Sequence, residues 1–130
     1  MSRTTREQQR AERAYTVVAK VPKAAQKEYK ALAESFGAFV LKNGLCAAMA
    51  FVQRSSNKDA RTLYLEHLAG AGVPGVVVKK DGDLFAAVRG LDLPAYMLAT
   101  REVLAFAVWL KRAAQASFND SAKDTGASDA

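Results

Sequence analysis

The chain holds one cysteine, Cys46, and one histidine, His67. A single thiol excludes an intramolecular disulfide, a CxxC redox pair and any cysteine-rich zinc site. A single imidazole excludes a histidine metal cluster. A Cys46–His67 nucleophile–base dyad needs a third group to orient it, and none is identifiable. Cys46 reads as a small buried thiol in an apolar helix, and His67 as a structural residue. The sequence contains no Gly-rich phosphate loop, no HExxH spacing and no paired acid/base carboxylates. No catalytic residue, metal or cofactor is expected.

What the sequence spaces regularly is positive charge. At 100° per residue, Arg3, Arg6, Arg10 and Arg13 fall within about a quarter of a helix circumference, as do Lys23, Lys27 and Lys30 on the next helix. Arg101 and Arg112 are eleven residues apart, nearly three whole turns, so they point the same way about 16 Å apart, a gap that successive phosphates can bridge. Lys42 and Asn43 at one helix end, and Arg54 at the end of the next, add donors for phosphate oxygens. The candidate nucleic-acid contacts are therefore Lys42, Asn43, Arg54, Arg101, Lys111 and Arg112, with Arg6, Arg10 and Arg13. Each set has a plainer alternative. The lysine stripe lies opposite an apolar face and looks the same as a solvated surface. Arg101, Lys111 and Arg112 suit a helix surface with an ion pair to Glu102 or Asp92, and the N-terminal arginines suit a mobile arm. Tyr96, Phe106 and Trp109 can stack on bases, but aromatics repeating along one helix read as core.

Helices must present these residues. Thr4 and Glu7 fit a capping box that opens a first helix to about Lys20, with Ala11, Ala14, Val18 and Val21 on one face. Pro22 suits the first turn of a second helix, where Tyr29, Leu32, Phe36, Phe39 and Val40 recur until Asn43-Gly44 interrupts them. Leu45 to Arg54 is apolar nearly all round, which predicts a helix at the centre of the core. Ser56 with Asp59 can cap a fourth helix through Leu63, Tyr64 and Leu68, closed by Gly70. Val73 to Gly82 is ambiguous: Val76 to Val78 and Leu84-Phe85 around Asp81-Gly82 can form a β-hairpin, while Asp83 and Gly90 bracket a short helix, the favoured reading. Asp92 can cap a final helix of about six turns, with Pro94 in its first turn and Tyr96, Val103, Phe106, Ala107 and Leu110 inward.

Composition agrees. Half of the 130 residues are apolar, but 26 of these are alanine and none isoleucine, which favours helix over sheet. The fold class expected is all-α, a single bundle of five to six helices over residues 1–118. Residues 119–130, polar and acidic, are expected to form a disordered tail. The net charge of +6 attracts polyanions. It is concentrated in residues 1–30, whose eight Lys or Arg face three Glu. The longest uninterrupted apolar run, Leu45 to Val52, is far short of a membrane span. Charges stand where a secretory signal needs an apolar stretch, so a cytoplasmic location is expected, without membrane partners.

Three segments then carry a resemblance. They are Asn43-Gly44-Leu45 leading into Ala48-Met49-Ala50-Phe51; Leu63-Tyr64-Leu65-Glu66-His67-Leu68; and Ala99-Thr100-Arg101-Glu102 followed by Leu104-Ala105 and Trp109-Leu110-Lys111-Arg112. In this order they resemble the small subunit of the Cmr complex, the type III-B CRISPR-associated RNA-guided effector, over roughly residues 10 to 116. The last block is the most specific. Cys46 departs from the pattern, standing where the family usually has a small residue such as Gly, and so does Ala113, where an aromatic usually follows. The resemblance implies an all-α, non-catalytic subunit, present in several copies along a helical assembly beside the backbone and large subunits. It also implies that basic surfaces help hold guide RNA and target RNA.

Overall fold

The computed structural model describes residues 3–118 apart from 77 and 79–82. Six helices follow one another: α1 (Arg6–Val18), α2 (Lys23–Asn43), α3 (Leu45–Gln53), α4 (Lys58–Ala69), α5 (Leu84–Arg89) and α6 (Leu93–Ser117). The all-α bundle expected from the composition is the one observed. No strand occurs among the described residues, and Leu84-Phe85 open α5, which Asp83 caps by accepting from the Phe85 amide at 2.9 Å. The Asp81-Gly82 turn of the hairpin alternative, like the acidic segment 119–130, lies outside the described residues.

Two start signals sit one residue from where they were read. The capping box of α1 pairs Thr5 with Gln8: the Thr5 hydroxyl accepts from the Gln8 amide at 3.0 Å, and the Gln8 side chain accepts from the Thr5 amide at 2.7 Å. The pattern occurs twice in overlapping register, Thr4…Glu7 and Thr5…Gln8, and a glutamine amide closes the box as well as a carboxylate does. Asn57, rather than Ser56, caps α4 through the Ala60 amide at 3.0 Å. Pro22 is the N-cap of α2, just outside the first turn. Asp92 caps α6 as expected.

Contacts between helices fix their directions. The Tyr96 hydroxyl accepts from the Cys46 amide at 3.0 Å, Gln115 donates to Glu34 at 3.0 Å, and the Phe118 ring meets Tyr29 at 6.0 Å. As α6 advances its partners recede from the start of α3 back along α2, so α6 and α2 are antiparallel. On another side of α6, Arg6 and Arg10 both reach Glu102, which lays α1 alongside α6. The core between them holds Tyr29, Phe36, Tyr64, Met49, Phe106 and Leu110, all at most 1% exposed. Each such side chain contributes about 1.5–3 kcal/mol on burial.

Contrary to the sequence pattern, α3 is not central. It buries Leu45, Ala48, Met49 and Val52 but leaves Phe51 37% exposed, stacked on Phe39 at 4.6 Å. Nine residues between two turns cannot be covered on every side by a six-helix bundle. Gly44 makes the corner before it at φ +95°, a conformation L-residues rarely adopt. The apolar length of α6 would suffice for a membrane span, but its apolar stripe, with Val103, Phe106, Ala107 and Leu110, packs into the bundle.

Candidate nucleic-acid interface

The arginines of α1 come together with a carboxylate that was expected to serve a neighbour. Glu102, 5% exposed, turns towards α1. One of its oxygens accepts from both Arg6 and Arg10, the latter at 3.0 Å. Glu102 follows Arg101 directly in sequence, and on a helix adjacent residues do not face each other. The ion pair foreseen within α6 is therefore formed between helices. Arg13 lies across Gly70 at the end of α4: a Cβ there would stand 3.2 Å from its guanidinium. A cation at a helix C-terminus meets the negative end of the helix dipole. Arg6, Arg10 and Arg13 also line one open groove of about 760 Å³, with Thr4, Gln8 and Phe106.

The cations of α6 stand differently. Arg101 and Arg112 are exposed on the side away from the core, and no carboxylate pairs with either among the described residues. Arg112 rests over the half-buried Trp109 ring at 4.7 Å, a cation–π contact that holds its direction while leaving its N–H edge to solvent. Lys111 is half-buried one position earlier. The aromatics of this helix belong to the bundle: Phe106 is buried, and Tyr96 and Trp109 are partly so.

The remaining candidates do not form one site. Lys42 and Asn43 are exposed at the end of α2, where the Asn43 side chain donates to the Phe39 carbonyl at 3.4 Å. Arg54 is exposed beyond the far end of α3, about 14 Å away by helical rise. Its neighbour Ser55 bonds to Glu28 at 3.0 Å. Lys23 and Lys27 are exposed on α2 and Lys30 is half-buried.

Neither candidate for bond chemistry is arranged for it. His67 is bound to Tyr29, with Nδ1 at 2.6 Å from the phenol oxygen, and Cys46 contacts Tyr96 through its backbone. Burial lowers the His67 pKa to about 4 and raises that of Tyr29. The imidazole is thus neutral near pH 7 and shares one hydrogen bond with the phenol through Nδ1. Tyr64, wholly buried beside Tyr29, is also raised by burial, and its hydroxyl has no partner among the described residues. No group of three His, Cys, Asp or Glu able to hold a metal occurs among the described residues.

Residues 6–117 match the family model described as CRISPR-associated protein (Cas_Cmr5). A curated relative, CRISPR system Cmr subunit Cmr5 of Thermus thermophilus, is 36% identical over 114 residues, covering 86% of this chain and 95% of the relative. The crystal structure of a CRISPR-associated Cmr5 family protein from the same organism superposes with a TM-score of 0.71 at 35% identity, over 87% of this chain and 97% of the other. With the ATRE-to-WLKR block on α6 and the six-helix order now accounted for, the chain belongs to the Cmr5 family and is a small subunit of the type III-B Cmr complex.

Proposed function

We propose that the protein is a non-catalytic subunit that neutralises the backbone of guide RNA and target RNA within the cytoplasmic Cmr complex. Its exposed Arg101 and Arg112 lead, with Lys111 beside them and Lys42, Asn43, Arg54 and Arg13 at separate points of the surface. The observation that carries this is the α6 ridge: two exposed arginines nearly three turns apart, with no carboxylate to cancel them among the described residues. Contacts of this kind read charge and shape rather than base sequence. One subunit supplies few of them, so binding gains its strength when copies are arrayed beside the backbone and large subunits and effective concentration replaces bulk concentration. Arg6 and Arg10 contribute only the N–H donors that Glu102 leaves unused.

The test is the salt dependence of target RNA binding by the assembled complex. Neutralising Arg101, Lys111 and Arg112 as glutamines flattens the slope of log K against log salt by up to about one unit per subunit for each phosphate that the variant no longer neutralises. An unchanged slope refutes the assignment. A second reading, a helical scaffold that touches only protein, is favoured by the Arg6–Glu102–Arg10 cluster, which ties the N-terminal arginines to the bundle's own carboxylate. Photocrosslinking of the subunit to RNA in the complex separates the two.

A further inference from the structure

The outward side of α6 is not uniformly charged. Leu93 is 68% exposed, Met97 62% and Val108 38%, and Leu41 on α2, at 79%, is the most exposed large apolar side chain among the described residues. Their positions are related. Gln115 touches Glu34 across the two helices. Leu41 stands seven residues, two turns, beyond Glu34 and so on the same edge of α2. Met97, Leu104 and Val108 stand 18, 11 and 7 residues before Gln115, each within about 20° of its line along α6. Leu41 on one helix and Met97, Leu104 and Val108 on the other therefore border one seam between antiparallel neighbours, with Leu93 at its end. Along α6 the series Met97, Arg101, Leu104, Val108, Lys111 steps by four, three, four and three, the a/d spacing by which helices pair.

We infer that this α2/α6 seam receives an amphipathic helix of a different subunit of the Cmr complex, one that presents leucine- or methionine-sized side chains flanked by aspartate or glutamate. Charge decides the occupant. Arg101 and Lys111 lie on either side of the seam and Lys42 follows Leu41, while the carboxylate on this edge, Glu34, is already held by Gln115. A second copy docking through the same face would set these cations against each other. The segment 119–130 carries no Leu, Val, Met or Phe to place there. A sugar-phosphate backbone would use the cations and leave Leu41, Leu93 and Met97 in water, whereas a helix uses both. An arginine within an apolar seam asks for a carboxylate opposite, which also sets the partner's register.

The inference rests on membership of the complex and shares Arg101 and Lys111 with the proposed RNA contact, so a helix seated here leaves Arg112 as the RNA contact of α6. It is tested by placing the photocrosslinker p-benzoylphenylalanine at Met97, and separately at Leu41, in a complex reconstituted from its subunits. The expected result is that both positions crosslink to the same other subunit. The double variant Leu41→Glu/Met97→Glu, with the circular dichroism and melting temperature of the parent, then needs about tenfold more protein for incorporation. Crosslinks to RNA, to a second copy of this chain, or to nothing from either position overturn the inference. So does parental incorporation of the double variant. The salt slope of Arg101→Gln/Arg112→Gln can fail without touching this result.

Discussion

Glu102→Gln tests whether charge fastens α1 to α6. The carboxylate side chain is 7% exposed, and its two partners differ: Arg10 is 19% exposed and Arg6 59%. A charge-assisted hydrogen bond removed from water, as at Arg10, is worth about 1.5–3 kcal/mol. The Arg6 contact is close to a surface pair, at about 0–1 kcal/mol. Glutamine keeps the volume and an acceptor oxygen, and so retains one neutral bond of about 1 kcal/mol. The net loss is ~0.5–3 kcal/mol, or ~2–12 °C in Tm for a domain of this size. Arg10→Gln costs nearly as much, and Arg6→Gln under about 0.5 kcal/mol. Thermal melts of the four proteins in the Arg10/Glu102 double-mutant cycle return a coupling of about 1–2 kcal/mol. Amide exchange shows the lost protection concentrated in α1. A coupling below about 0.3 kcal/mol, or a larger cost for Arg6 than for Arg10, refutes the reasoning.

Four other outcomes follow from particular contacts. The His67 pKa is lowered from 6.5 to about 4 by burial, so between these values the unfolded chain binds a proton that the folded chain refuses. The stability is complete above pH 6.5 and declines as the pH falls towards 4, by up to ~2–3 kcal/mol after allowance for partial exposure, and denaturant melts of His67→Gln lose that dependence. Tyr29→Phe, which strands Nδ1, costs about 1 kcal/mol or more in the same melts. Tyr64→Phe, which deletes a buried hydroxyl without a partner among the described residues, is neutral or stabilising, and a cost above about 1 kcal/mol would show that the hydroxyl is satisfied. Gly44→Ala has room, with Tyr96 Oη 3.7 Å from the new Cβ, so its cost in chemical denaturation, about 1–3 kcal/mol, comes from the backbone at φ +95°.

Much of this architecture is legible along the chain, and the exceptions have physical causes. The face of α2 with Tyr29, Leu32, Phe36 and Val40 buries as its period requires, Asp83 and Asp92 cap their helices as their chemistry predicts, and Gly70 and Gly90 stand at the C-caps without taking the left-handed conformation open to glycine. What periodicity cannot supply is the identity of the element opposite. The alignment of Arg6 and Arg10 is local information, but that Glu102, more than ninety residues on, lies across from them is tertiary. Likewise α3 has the composition of a central helix, and only the placement of its neighbours leaves Phe51 against Phe39 at the surface. The exposed Leu93 and Met97 were traceable in principle. Both fall off the Val103–Phe106–Leu110 stripe, and their size draws attention away from that fact.

A guanidinium offers a phosphate only the charge that its own protein has not already cancelled, which separates the two sets of arginines in a measurable way. Counterion release scales with the number of phosphates neutralised. Arg6 and Arg10 share one carboxylate, so removing Arg10, the less exposed of the two, changes the stability of α1 more than the charge offered outward. Arg101 and Arg112 have no such partner among the described residues and support no packing beyond the Trp109 contact. Their loss leaves stability within about 0.5 kcal/mol of the parent and appears in the salt slope of RNA binding instead. The two effects should therefore dissociate: Arg10→Gln moves the melt and keeps the slope, while Arg101→Gln and Arg112→Gln keep the melt and move the slope. If both sets move both quantities together, outward charge and inward fastening are not separable on this bundle, and the division of labour between α1 and α6 is wrong.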